Sequence, residues 1–279
     1  MRERAGSLVL VATPIGNLGD LSPRAAQALA GAALICAEDT RRVAKLLRHA
    51  GITAVRVVVA NEHTERERIP DVLDTLADGG DVALVSDAGT PGISDPGERI
   101  VRAVLDAGHA VTTVPGPVAA VAALVVSGLS TARFVFEGFV PRSGTERARR
   151  LAAIAAEPRT VVLYEAPHRI ARTIADLVAA CGPDRQVVVA RELTKLYEEV
   201  QRGPLGEIDV GTPRGEYVIV LSGAPPSHEP PDDDTIRQAL RHELGQGAGT
   251  KEAAAAVAER YGIPKRTAYS LAVGTLKER

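Results

Sequence analysis

Residues Ser86-Asp87-Ala88-Gly89-Thr90-Pro91-Gly92-Ile93-Ser94-Asp95-Pro96-Gly97 constrain this chain more than any other segment. They follow the apolar run Val82-Ala83-Leu84-Val85, which reads as a buried strand, and precede residues 98–108, which read as an amphipathic helix. A plain turn needs one or two of Gly, Pro and Asp, whereas this stretch holds three glycines, two prolines and two aspartates. Such a stretch describes a loop of fixed shape at the C-terminal end of a strand, the edge of an open α/β sheet where ligands bind. Connections longer than about 12 residues are usually functional or disordered. The segment therefore points to a small-molecule site, with an ordinary strand-to-helix connection as the competing reading.

The rest of the chain supplies a sheet for that loop. The 279 residues suffice for two domains at roughly 150 residues each. Strands are expected at 8–12, 34–37, 55–59, 82–85 and 111–114. Helices are expected at 23–30, opened by Ser22-Pro23, and at 41–49 and 69–77. This alternation predicts an N-terminal α/β domain over residues 1–117 with a mainly parallel sheet. Pro115-Gly116-Pro117 interrupts the rhythm and leads into a small-residue helix ending near Ser127. Strands at 134–138, 160–164, 187–190 and 217–221, with helices at 145–156 and 170–180, predict a second α/β domain over 118–223. Residues 224–231 read as a stiff proline-rich linker. Residues 232–279 read as helices at 235–244, 251–261 and 265–276. The turn Gly262-Ile263-Pro264, followed by Lys265 and Arg266, suits either a helix-turn-helix or a small packing domain.

Composition excludes several classes. Cys36 and Cys181 are the only cysteines. Their spacing indicates neither a zinc site nor a disulfide framework and fits a reducing cytoplasm. The longest apolar run, residues 118–126, falls far short of a membrane span, which needs about 20 residues. The run at 8–12 is too short for a signal-peptide core. A net charge of −2 argues neither for nor against a nucleic-acid partner. Local clusters at Arg41, Arg42, Lys45 and Arg48 and at Arg142, Arg147, Arg149 and Arg150 suit either phosphates or a solvated helix face. There is no P-loop, no GxGxxG and no Gly-x-Ser-x-Gly elbow, so a nucleotide site must be built differently.

Further constellations follow predicted strands. Residues 13–20, Thr-Pro-Ile-Gly-Asn-Leu-Gly-Asp, let backbone approach a ligand closely. Parallel strands would set this loop beside residues 86–97. In 37–42, Asp39 or Thr40 suits a helix cap, while Arg41 and Arg42 suit phosphate. In 61–65, His63 between Glu62 and Glu65 is a candidate proton acceptor or a plain surface histidine. In 164–169, Glu165, His168 and Arg169 suit an anionic or hydroxyl-bearing substrate, or a helix start. Residues 191–195, Arg-Glu-Leu-Thr-Lys, share that ambiguity.

Taken in order, residues 13–20, 38–42, 86–97, 115–117, 164–169 and 191–195 resemble the ribosomal RNA small subunit methyltransferase I family of the tetrapyrrole methylase superfamily. The resemblance runs from about residue 7 to 223, and the tail resembles that family's C-terminal helix-turn-helix. It implies two α/β domains with S-adenosylmethionine in the cleft between them, and a small C-terminal helical domain. It implies a cytoplasmic homodimer that methylates the ribose 2′-OH of a cytidine in the decoding region of 16S rRNA, with no metal.

By the same pattern, the cofactor pocket is lined by Pro14, by Asp87, Gly89, Thr90, Ile93 and Ser94, and by Pro117, Val118 and Ala119. Tyr164, Glu216 and Tyr217 join from the second domain. The family's His-(Glu/Asp)-His-Asn-Glu motif reads Asn61-Glu62-His63-Thr64-Glu65 here, which makes His63 the first catalytic candidate. Glu62, Glu165 and His168 follow it, and Arg41, Arg42 and Arg169 are expected to hold RNA phosphates. On this reading Asp87 shapes the loop or contacts cofactor, and Asp95 with Pro96 starts the following helix. The alternatives are a corrin or porphyrin methylase with the same loops, or a non-enzymatic RNA-binding protein using the tail.

Overall fold

A computed structural model describes residues 6–53, 56–225, 232–246 and 248–277. Two compact bodies result, Met1–Ala224 and Pro225–Arg279.

The first body holds two five-stranded sheets. The first sheet comprises β1 (Ser7–Val11), β2 (Leu34–Ala37), β3 (Val57–Val59), β4 (Val82–Val85) and β5 (Ala110–Val114), in the order β3-β2-β4-β1-β5. Every pairing in it is parallel. Residue 55, included in the expected third strand, lies outside the described residues. Between the strands run α1 (Pro23–Gly31), α2 (Thr40–His49), α3 (Glu65–Ala77) and α4 (Glu98–Asp106).

The continuous apolar runs of β2 and β4 fit burial on both faces. Ile35, Ala37, Ala83 and Val85 pack with Leu29, Val43 and Leu46 from α1 and α2. Leu34, Cys36, Val82 and Leu84 pack with Val72, Leu76, Ile100 and Val104 from α3 and α4. Burial pushes the Cys36 thiol up to about 12, so it behaves as a core apolar group.

From β1 the chain crosses to β2 on one side, and from β4 it crosses to β5 on the other. Because β1 and β4 are neighbours, their C-terminal ends form the crevice of a topological switch point.

The second sheet comprises β6 (Phe134–Phe139), β7 (Thr160–Glu165), β8 (Gln186–Arg191), β9 (Glu199–Pro204) and β10 (Tyr217–Leu221), in the order β6-β7-β10-β8-β9. Only β6 and β7 pair in parallel. Strand β9 is absent from the sequence expectation. Its residues, Glu-Val-Gln-Arg-Gly-Pro, carry one apolar side chain, and its place at the sheet edge tolerates Gly and Pro. One face of this sheet packs on α6 (Gly144–Ala156) and α7 (Ile170–Cys181). The other face packs on α5 (Ala119–Ser127) and receives Ile15 from the loop after β1.

The second body is helical: α8 (Asp233–Gly245), α9 (Thr250–Tyr261) and α10 (Lys265–Lys277). Ile236, Leu240, Val257, Ala258, Ala268 and Ala272 form its core. Gly262 ends α9 in the left-handed region at φ 63°, and Lys265 and Arg266 are exposed at the start of α10. Residues 226–231 of the expected linker lie outside the described residues. Among the described residues no helix is long and apolar enough to cross a membrane, and no group of three His, Cys, Asp or Glu could hold a metal ion.

Candidate functional site

The loops after β1 and β4 are bonded to each other. Thr13 N–H donates to the Gly89 carbonyl at 2.8 Å, and Gly89 N–H donates to the Thr13 carbonyl at 3.1 Å. Gly89 has φ 79°, and a Cβ there would sit 3.4 Å from Ile15 Cγ2. Glycine thus permits the left-handed turn from which the two loops bond, while a Cβ would be in ordinary contact with Ile15. Thr90 Oγ1 donates to the Pro117 carbonyl at 3.1 Å, tying the same loop to the entry of α5. Ala120 N–H in turn donates to the Tyr164 hydroxyl at 3.1 Å. Tyr164 is set edge-on against Phe136 and Phe139, with ring centres 4.9 and 5.8 Å away. A chain of contacts therefore runs from the first sheet to the second.

Between them lies a cavity of about 440 Å³. Ile15, Asp87, Gly89, Thr90, Ile93, Ser94 and Asp95 line one side, with Glu38 and Arg42 from beyond β2. Val118, Ala119, Tyr164, Leu193, Glu216 and Tyr217 line the other. A second cavity of about 320 Å³ adjoins it, lined by Thr13, Pro14 and Lys45 and sharing Arg42, Asp87, Lys195 and Glu216 with the first.

The walls are partly apolar and partly acidic. Glu38 Oε2 accepts from Asp87 N–H at 3.2 Å, and Asp87 Oδ2 pairs with Arg42 Nε at 3.3 Å. Asp87 Oδ1 and Thr13 Oγ1 are buried without a hydrogen-bond partner among the described residues. Lys195 Nζ bridges Glu192 Oε1 at 2.7 Å and Glu216 Oε2 at 2.8 Å. Burial raises the carboxyls of Glu38 and Asp87 above their ordinary range and pushes Asp95 up to about 6. A half-buried pocket with a buried acceptor left open and few cations suits a ligand that carries hydroxyls and positive charge.

Relatives share this architecture. The profile of the tetrapyrrole (corrin/porphyrin) methylases matches residues 7–209. A Synechocystis sp. protein named ribosomal RNA small subunit methyltransferase I is 44% identical over 273 residues, covering 96% of this chain and 98% of its own. This chain belongs to the ribosomal RNA small subunit methyltransferase I family. Among solved structures, the methyltransferase CobJ matches with a TM-score of 0.61 at 21% identity, over 78% of this chain and 95% of its own. Uroporphyrin-III C-methyltransferase from Thermus thermophilus, complexed with S-adenosylhomocysteine, matches with a TM-score of 0.54 at 19% identity, over 78% of this chain and 97% of its own. These two likenesses establish the fold.

Of the pocket residues expected from the family pattern, Pro14 lines the adjoining cavity. Pro117 lines neither cavity and contributes its carbonyl to Thr90. The others, from Asp87 to Tyr217, face the main one. The expected catalytic group does not assemble there. Glu62 and His63 are exposed on the turn before α3, and His168 is exposed before α7; none lines either cavity. Glu165 is on the wall, but its carboxylate is occupied. It accepts from Thr173 Oγ1 at 2.6 Å and Ala166 N–H at 2.9 Å, and pairs with Arg169 Nε at 3.1 Å. Arg169 is held there and by the Val140 carbonyl, so it joins β6, β7 and α7 rather than facing outward. Arg41 is exposed and folds back on Asp39, the cap of α2, while Arg42 reaches the cavity.

One family-motif residue has a role that sequence reading gave to another. Asp95 does not start α4, whose N-cap is Gly97 without a side-chain bond. The acceptor is Glu65, from the turn of α3. Its Oε1 takes N–H groups from Gly97 at 3.1 Å, Arg99 at 2.8 Å and Ile100 at 3.0 Å. Gly97 has φ 134°, and a Cβ there would lie 2.8 Å from Leu84 Cδ2, so the backbone enters the helix where only glycine fits. Asp95 is thereby left on the cavity wall. Glu38, Asp95, Lys195, Ile15 and Leu193 also line the main cavity, beyond the pocket residues that the family pattern implies. Their shared signal is position just past a strand within a recognised string, at residues 13–20, 38–42, 86–97 and 191–195.

Proposed function

We propose that this chain is an S-adenosylmethionine-dependent methyltransferase acting on small-subunit ribosomal RNA, and that it methylates the ribose 2′-OH of a cytidine in the decoding region of 16S rRNA. The observation that carries this reading is near-full-length identity of 44% to a protein named for small-subunit rRNA methylation. The cavity supports it. Its volume of about 440 Å³ falls in the range of about 300–1,000 Å³ typical of small-molecule sites. Ile15, Val118, Ala119 and Leu193 offer apolar surface to a purine. The open Asp87 Oδ1 offers an acceptor to ribose hydroxyls or an ammonium.

When bound, S-adenosylmethionine supplies a methyl activated by its sulfonium. The chain's own task is to hold donor and hydroxyl in line and keep water out, an advantage of proximity and orientation. In this reading the walls at 86–97 and 118–119 seat the donor. Arg42 and Lys45, exposed on α2 and lining the adjoining cavity, meet phosphates of the RNA. The chain acts as a homodimer in the cytoplasm.

The test is transfer of labelled methyl from S-adenosylmethionine to purified small subunits from a strain lacking this gene, followed by a ribose-methylation map. Label at one cytidine of 16S rRNA is expected. Label only on a corrin or porphyrin, or no transfer and no cofactor binding, would overturn the reading.

A further inference from the structure

Five carboxylates line the main cavity: Glu38, Asp87, Asp95, Glu165 and Glu216. Four are answered by a backbone N–H or a cation. Glu38 accepts from Asp87 N–H, Asp87 pairs with Arg42, Glu165 pairs with Arg169, and Glu216 pairs with Lys195. Glu38 and Asp95 have no cation partner among the described residues, and of the two only Asp95 also lacks a backbone donor; the Ser86 hydroxyl is its hydrogen-bonding neighbour. The charged or titratable groups around it are Glu38, Asp87 and Glu216, all carboxylates, and the Tyr164 phenol. The backbone holds it in place. Ser94 before it sits in the left-handed region at φ 61°, Pro96 follows, and a Cβ on Gly138 would come within 3.1 Å of Ser94 Oγ.

We propose that Asp95 is the residue by which this cavity distinguishes the positively charged methyl donor from its neutral product. The inference rests on the cofactor reading above. In the transfer the carbon–sulfur bond breaks, its electron pair stays on sulfur, and a sulfonium becomes a thioether. Donor and product therefore differ by one methyl and one positive charge. A carboxylate without a cation, set among other carboxylates, gains most from a ligand that brings that charge. Once the charge is gone the same carboxylate is again unanswered, which favours product release.

The pH dependence follows. Burial, with Glu38, Asp87 and Glu216 adding to it, pushes Asp95 up to about 6 in the free protein. A bound sulfonium draws it down, so donor binding below that pH must expel a proton. Donor affinity is full above about pH 7 and falls as pH drops through 6, by about tenfold at pH 5. The product, lacking the charge, does not follow.

The experiment is calorimetry of the full-length protein with S-adenosylmethionine and S-adenosylhomocysteine at pH 8 and pH 5. The donor-to-product preference is expected to fall about tenfold between them in the native chain. In Asp95→Asn it should be flat and low at both. A flat ratio in the native chain overturns the inference, as does Asp95→Asn that keeps the native pH response, which would hand the role to Glu38 or Asp87. Product binding by Asp95→Asn reports that the variant is folded. Should it not fold, Asp95→Glu, expected to keep the pH response, and the native series decide. Failure of both ligands to bind at pH 8 would instead overturn the cofactor reading.

Discussion

Glu65 and Asp95 stand beyond β3 and β4, the two strands that flank β2 in the first sheet, each in a string dense with acidic and polar residues. Glu65 is buried and spends one carboxylate oxygen on three backbone N–H groups at the start of α4. Asp95 is partly buried, receives no backbone N–H from that helix, and faces the cavity. The turn at 61–65 thus serves the fold, anchoring α3 to α4, while the loop at 86–97 lines the cavity. The difference comes from what lies opposite. Residues 61–65 face the start of α4, whose unpaired N–H groups need an acceptor. Residues 86–97 face the second sheet across open space. Acidic residues at a strand end therefore mark a sheet edge worth inspecting, and the opposing surface decides their use.

Substitutions can break this comparison. The largest effect is expected from Glu65→Ala, which strands three N–H groups at the start of α4, two of them buried, and should lower stability by about 2–3 kcal/mol. Urea unfolding measures it, and cofactor affinity of the folded fraction should hold. Loss of cofactor binding at unchanged stability would reverse the assignment. Asp87→Ala should do the opposite, weakening S-adenosylmethionine binding by about tenfold, or ~1.4 kcal/mol, with little change in the unfolding midpoint. The smallest effect is expected from His63→Ala. An exposed side chain away from both cavities should shift stability and the free energy of turnover by no more than about 0.5 kcal/mol. A large loss of methyl transfer at unchanged cofactor affinity would restore His63 to the mechanism.

Much of the fold is legible because local physics and tertiary packing agree. The runs at 34–37 and 82–85 are apolar at every position, and both faces of the sheet they join are covered. Ser22-Pro23 and Asp39 signal helix starts and act as such. Strand β9 is illegible because an edge strand needs little apolar surface. Within the site, the strings at 13–20, 86–97 and 115–117 are legible through their Gly and Pro content, and they do converge. Glu165, His168 and Arg169 look like a catalytic cluster from spacing alone. Residues one to four apart after a strand need not point the same way, and here the carboxylate and guanidinium satisfy each other while the imidazole faces solvent.

By itself the sequence determined that two sheets would form, where all their strand ends but those of β9 lie, and which loops have the conformational freedom to surround a ligand. Those properties depend on residues near one another in the chain, through periodicity, capping and positive φ. Which carboxylate would be consumed and which left open was decided only in three dimensions. A carboxylate is spent when a donor lies within about 3 Å. The donors that answer Glu65 lie more than thirty residues away along the chain. For Asp95 no cation arrives among the described residues, and that result belongs to the packing of the whole body.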